Sequence, residues 1–152
     1  MSQYKYLCLL TASLVLFVFS AKSQAFKQIN IFIEQDSIDK LESHPYSNED
    51  VHGNFEVDGD FFENVELHYR GAFYLWTLIN QGSLRNWKVK FSKENKFENR
   101  REWNFNYENY IRQNLAYHVF KAAGVPVVSS ENVMLSVNGQ LQGLYLKYED
   151  PD

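Results

Sequence analysis

Two lysines raise the first chemical question. In Asn86-Trp87-Lys88-Val89-Lys90-Phe91, the apolar residues Trp87, Val89 and Phe91 alternate with Lys88 and Lys90. Such alternation predicts a pleated strand that buries one face and presents both ammonium groups on the other. Two lysines on one face, next to a glycine-containing loop, make a seat for an anion. The preceding run, Val65-Glu66-Leu67-His68-Tyr69-Arg70-Gly71, alternates in the same way and turns Glu66, His68 and Arg70 away from the core. Arg70 and Arg85 are therefore further candidates for contact with a phosphate. The same patterns also describe the wet side of half-buried strands carrying surface ion pairs, so spacing alone assigns no function.

Other chemistries find less support. His44, His52, His68 and His118 show no ligand-like spacing, and the single cysteine, Cys8, lies in the apolar amino-terminal stretch, so a zinc site is not expected. No GxGxxG or Walker-type loop is present, and no serine has a convincing His and Asp partner. We assign no catalytic residue and no metal ligand from sequence.

Residues 1–25 read as a signal peptide: Lys5 gives a positive start, Leu7 to Phe19 is nearly all apolar, and Ser23-Gln24-Ala25 supplies small residues for cleavage. The apolar run is short for a membrane span, so an exported product without a stable span after leader removal is expected, in the periplasm, at the cell surface or outside the cell. Loss of Lys5 and Lys22 leaves 13 basic residues against 19 acidic ones, a formal charge of −6. That balance argues against a nucleic-acid partner. A mature chain without cysteine cannot use disulfides, and its core must hold it. The chain is 16% aromatic, which supplies the large side chains a core of one domain, residues 26–152, needs.

Elements follow from periodicity. Ile29, Ile31 and Ile33 alternate in a first strand, and Asp36 is placed to cap a short helix that turns Ile38 and Leu41 inward. His44-Pro45-Tyr46-Ser47-Asn48 breaks the pattern as a loop. Asp58-Gly59 and Asn138-Gly139 each predict a hairpin turn. Gly71 to Ser83 contains Phe73-Tyr74-Leu75-Trp76, an aromatic loop that reads as a lid, a sugar-stacking surface or a plug over the core. Lys93 to Arg101 is expected to be exposed, and Glu102 to Asn106 to be a strand. Ile111, Leu115, Val119 and Ala122, with Ala116, Phe120 and Ala123, make a wide apolar stripe on the principal helix, which Gly124 ends and Pro126 keeps from resuming. The expected fold is α+β: an antiparallel β-sheet with one main α-helix packed on it.

Taken together, Arg70-Gly71, Lys88-Val89-Lys90-Phe91, the helix from Arg112 through Arg-Gln-Asn-Leu-Ala-Tyr-His-Val-Phe, Ala123-Gly124-Val125-Pro126, Val137-Asn138-Gly139 and Gly143-Leu144-Tyr145 with Glu149 recur in a familiar order. This order resembles the front portion of the spore-coat protein H (CotH) kinase family, from about Ile29 to Glu149. The resemblance implies a protein-kinase-like amino-terminal lobe in which a strand lysine reaches nucleotide phosphates. It points to Lys90, with Lys88 as alternate, to Arg70, and to Glu149 near the adenine, with ATP and magnesium as the implied cofactors. Gln113 stands where a kinase helix would carry an acid, leaving Glu108 as the substitute. The resemblance also implies that catalytic and metal-binding acids belong to a second lobe. On that reading residues 26–152 are an incomplete domain, the partner is a protein substrate or the missing second lobe, and these 152 residues are not expected to transfer phosphate unaided. Two alternatives stay open: a binding module stacking a glycan or peptide on Phe73, Tyr74 and Trp76, and a structural envelope or coat component.

Overall fold

The computed structural model describes residues 26–47, 49–71, 84–107 and 110–150. Among these, the elements run β1 (Lys27–Phe32), α1 (Gln35–Ser43), β2 (Val51–Val57), β3 (Asp60–Tyr69), β4 (Trp87–Lys90), β5 (Glu102–Asn106), α2 (Tyr110–Ala122), β6 (Ser130–Val137) and β7 (Gln140–Glu149). The alternation expected for each strand is present: Ile29 and Ile31, Val65, Leu67 and Tyr69, Trp87 and Val89, Trp103 and Phe105, and Val133 and Leu135 are all buried.

These strands close into a barrel in the order β1-β2-β3-β4-β5-β7-β6. Neighbours are antiparallel except at the closure, where β1 and β6 run parallel with Lys27 opposite Val133 and Ile31 opposite Val137. The expectation of an α+β fold like a kinase amino-terminal lobe, with a main helix covering an antiparallel sheet, is thereby corrected. A sheet curled on itself packs its inner face against itself and needs no helix as a lid. Phenylalanine fills much of that interior. The Phe55 ring centroid lies 5.1 Å from Phe91 and 5.5 Å from Phe97, and the Phe91 contact is edge-on at 87°. Phe97 is buried although it sits in the charged stretch expected to be exposed.

Helix α2 shows the same correction in its orientation. The apolar stripe faces away from the barrel, with Ile111, Leu115 and Val119 exposed by 66%, 62% and 56%. The partly buried residues Tyr110, Gln113, Asn114 and Tyr117 recur at helical spacing and turn toward the outer side of the sheet. Asn106 Nδ2 donates to Gln113 Oε1 at 3.3 Å, and the Tyr117 ring centroid lies 6.4 Å from that of Tyr148. The helix ends as expected: Gly124 adopts φ 77° and the Val125 N–H donates to the Phe120 carbonyl at 2.9 Å. At α1 the cap differs from expectation. Glu34 holds the N-cap position without a side-chain bond, and Asp36 lies in the first turn, where its charge meets the positive helix end.

Both predicted hairpin turns form, with Asp58 and Asn138 at φ 48° and 49° followed by glycines at 96° and 75°. Asn138 does more than turn. Its Oδ1 accepts from the Ile33 N–H and its Nδ2 donates to the Ile33 carbonyl, both at 2.9 Å, and its own N–H donates to the Ile31 carbonyl at 2.8 Å. One side chain thus fastens the end of β1 to the β6–β7 turn and secures the parallel seam. Gly53 in β2 is required for a different reason: a Cβ there would lie 2.5 Å from the Phe32 carbonyl oxygen and 2.6 Å from Leu67 Cδ1.

Candidate functional site

Strand alternation decides which side chains meet outside the barrel. Inward positions take the aromatic and branched residues, so Arg70, Lys88 and Lys90 emerge together on the outer face of β3 and β4, with Asn104 from β5 and Tyr148 from β7. His68 pairs across the ladder with Lys88, and Lys88 in turn with Asn104. The Pro45-Tyr46-Ser47 loop and Asp150 wall in the face, enclosing a cavity of about 260 Å³ lined by His68, Arg70, Lys88, Asn104 and Asp150.

Each cation in this face has a carboxylate or hydroxyl partner. Lys88 Nζ meets the Asp150 carboxylate and lies 2.6 Å from Glu102 Oε2. Lys90 Nζ lies 2.8 Å from Asp50 Oδ2, and the other Asp50 oxygen is 2.6 Å from His68 Nδ1. Arg70 donates to the Tyr148 hydroxyl, with its guanidinium 5.3 Å from that ring's centroid. Burial by itself would lower the pKa of Lys88, but hydrogen bonds to Asp150 and Glu102 outweigh it and raise the ammonium above its ordinary range. Burial would raise Asp150, yet Lys88 and Asn104 hold its carboxyl below 3.8. Asp50 is depressed in the same way, burial being outweighed by hydrogen bonds from Lys90 and His68.

Asn104 is the unusual member. It is fully buried, its Nδ2 donates to Asp150 Oδ1 at 3.1 Å, and its Oδ1 is buried with no hydrogen-bond partner among the described residues. A buried acceptor left unpaired costs on the order of 1–3 kcal/mol.

The residues singled out from sequence divide accordingly. Arg70, Lys88 and Lys90 share one face, and of these Arg70 and Lys88 line the cavity. Glu149 does not join them: its Oε2 lies 3.1 Å from Arg100 Nε and its Oε1 accepts from the Ser129 N–H at 3.4 Å. It shares a face of β7 with Lys147, opposite to that of Tyr148. Arg85 belongs to the barrel mouth, with Nη2 3.4 Å from Glu42 Oε1. Gln113 bonds Asn106 and meets no lysine among the described residues, while the carboxylates on Lys88 come from β5 and from the chain just after β7. Glu108 and the Phe73-Tyr74-Leu75-Trp76 loop lie outside the described residues.

Four contributors were not singled out from sequence. Asn104 carried a signal, since it alternates with Trp103 and Phe105 and must share the face of a neighbouring strand's polar residues. Asp50, Tyr148 and Asp150 carried none, because their approach depends on which strands become neighbours. A further ionic cluster lies inside one end of the barrel. There Lys147, 1% exposed, stands 4.3 Å from the Trp103 ring centroid and 4.8 Å from that of Phe97 and pairs with Glu98 and Glu131. Lys27 joins both glutamates, fastening the 92–101 stretch to the barrel.

A family model described as CotH kinase protein matches residues 67–152, which is more than half of the chain and includes every cavity cation. The chain belongs to the CotH kinase family. The match runs from the end of β3 through β7, so the CotH-like resemblance read from Ile29 is matched from Leu67 onward. A comparison with curated proteins returned no match. Among the described residues no group of three or more His, Cys, Asp or Glu side chains is placed to hold a metal ion. No helix of the described residues is long and apolar enough to cross a membrane.

Proposed function

We propose that the outer face of β3, β4 and β5 contacts the phosphates of a nucleotide, as part of a CotH-type phosphotransferase acting outside the cytoplasm. The observation that supports this most directly is the cavity lined by Arg70, Lys88 and Asn104, whose buried Oδ1 has no hydrogen-bond partner among the described residues. Cations answer phosphate oxygens, and an unspent acceptor answers an amine or hydroxyl proton. Lys90 supports the same field from outside the cavity. Because Lys88 is already paired with Asp150 and Glu102, a phosphate must displace a carboxylate, and weak binding is the expected result. ATP is the nucleotide that a kinase family implies. Among the described residues no group of three or more His, Cys, Asp or Glu is placed to hold a metal ion, and the role proposed for these side chains is contact with the phosphates.

The test is amide chemical-shift mapping with magnesium-ATP at millimolar concentration. The expected shifts fall at Arg70, Lys88, Asn104 and Asp150 and shrink at least tenfold in Lys88→Ala, with Lys93→Ala unchanged. Shifts confined to other residues, or identical in Lys88→Ala, refute the assignment.

A protein partner belongs to the same proposal. Helix α2 turns Ile111, Leu115, Val119 and Phe120 outward and carries Arg112, His118 and Lys121 without an acid. An apolar segment flanked by carboxylates complements that surface.

A further inference from the structure

We infer that a second cavity, at the mouth of the barrel beside α1, binds a neutral, hydroxyl-rich ligand of the saccharide class. The cavity measures about 560 Å³, inside the range of roughly 300–1,000 Å³ over which small-molecule sites fall. It is separate from the outer-face cavity: Tyr69 is the one described residue that lines both, and neither Lys88 nor Arg70 reaches it.

Its chemistry is that of a hydroxyl binder. Gln35, Gln140 and Gln142 border the cavity with carboxamides; Gln35 Nε2 already donates to Asp39 Oδ1 at 2.8 Å and Gln142 Nε2 to the Gln140 carbonyl at 3.1 Å, so each of these two keeps a second N–H and its amide oxygen, and a sugar hydroxyl both donates and accepts. Asn138 borders the cavity as well, but its amide is spent on Ile33. Glu42 and Arg85 face each other at 3.4 Å, so the lining holds one carboxylate and one guanidinium, charges that cancel. Tyr69 and Trp87, which meet edge to face with centroids 4.8 Å apart, border the cavity as buried rings and give it an apolar wall. Burial, with Glu42 adding to it, pushes the Tyr69 hydroxyl up to about 12.

The competing ligands fit less well. A phosphate would meet as much negative charge as positive, unlike the outer face with its two lining cations. An extended peptide recognised through its backbone needs an open strand edge, and the closed barrel leaves none among the described residues. The inference does not depend on the nucleotide reading, because it uses other residues on another surface.

The experiment presents the whole chain to an array of neutral mono- to tetrasaccharides and follows the best binder by saturation-transfer NMR. Trialanine and inorganic phosphate serve as competitors. The Gln140→Ala/Gln142→Ala double variant is expected to weaken sugar binding at least tenfold with an unchanged melting curve, since both positions are at least partly exposed. Gln35→Ala, on a different element, is expected to weaken it as well. Lys88→Ala should leave it unchanged, which separates this outcome from any failure of the phosphate assignment. No sugar bound above background, full binding by both glutamine variants, or displacement by trialanine or phosphate overturns the inference.

Discussion

Replacing Leu115 in α2 and Leu135 in β6 by alanine compares the two leucines under opposite burial. Leu135 is fully buried inside the barrel, and Leu→Ala at such a site costs about 2–5 kcal/mol, part for lost transfer energy and part for the cavity left behind. Leu115 is 62% exposed, so only about a third of its side chain was removed from water on folding. Full burial of a leucine contributes about 1.5–3 kcal/mol, which leaves about 1 kcal/mol or less at stake here. Alanine is also the better helix former, which offsets part of that loss. Urea unfolding followed by tryptophan fluorescence resolves the two cases. With an m-value of about 1–3 kcal/mol/M, the Leu135→Ala midpoint should fall by about 1–2 M and the Leu115→Ala midpoint by a few tenths. Equal losses would mean that α2 packs its apolar stripe against the fold, as a helix over an open sheet would, and would refute the outward orientation on which the partner surface rests.

Gly53→Ala should cost several kcal/mol or abolish folding, because the new Cβ meets a backbone carbonyl that cannot move aside, and soluble yield with a thermal melt checks it. Asn138→Ala should cost about 2–4 kcal/mol in urea unfolding, through two lost bonds to Ile33 and a strained positive φ, whereas Asn138→Gly relieves the strain but not the loss of bonds. Stability should also fall in acid. Asp50 and Asp150 are held below 3.8 in the folded chain, so the unfolded chain binds more protons as pH drops. The stabilisation they give is present above about pH 4 and is lost as pH falls through their folded values. Thermal midpoints measured from pH 6 to pH 2 should decline below about 4, and decline less in a Lys88→Met/Lys90→Met double variant, whereas a profile with no decline contradicts the ion pairing. Lys88, raised in the folded state, acts in the other direction and loses its contribution only in strong alkali.

Much of this molecule was legible one element at a time. Period-two alternation identified the inward residues of β1, β3, β4 and β5, and two Asx-Gly pairs identified both hairpin turns. Lys88 and Lys90 were read onto one face of their strand, and Glu66, His68 and Arg70 onto the outward side of theirs, because each inference needs only local pleat. What the sequence did not carry was which strands become neighbours. The β1–β6 seam joins residues about a hundred positions apart and leaves no local mark, so a closed barrel read as an open sheet needing a helix. From that omission followed the inward orientation expected for Leu115. Phe97 was hidden for another reason: one aromatic in a charged run has no periodicity to betray it.

The parallel seam also governs how this chain reaches its folded state. Lys27 is made early and Val133 late, and at about 5–20 residues per second a ribosome needs roughly 5–20 s to deliver the second after the first. Throughout that interval β1 has β2 on one flank and nothing on the other, with Ile29 and Ile31 in a ribbon ready to accept any passing strand. Such high contact order makes closure slow even after synthesis ends. The period of greatest aggregation risk is therefore set by chain order, and a circular permutant that begins at β6 and joins the old ends should shorten it.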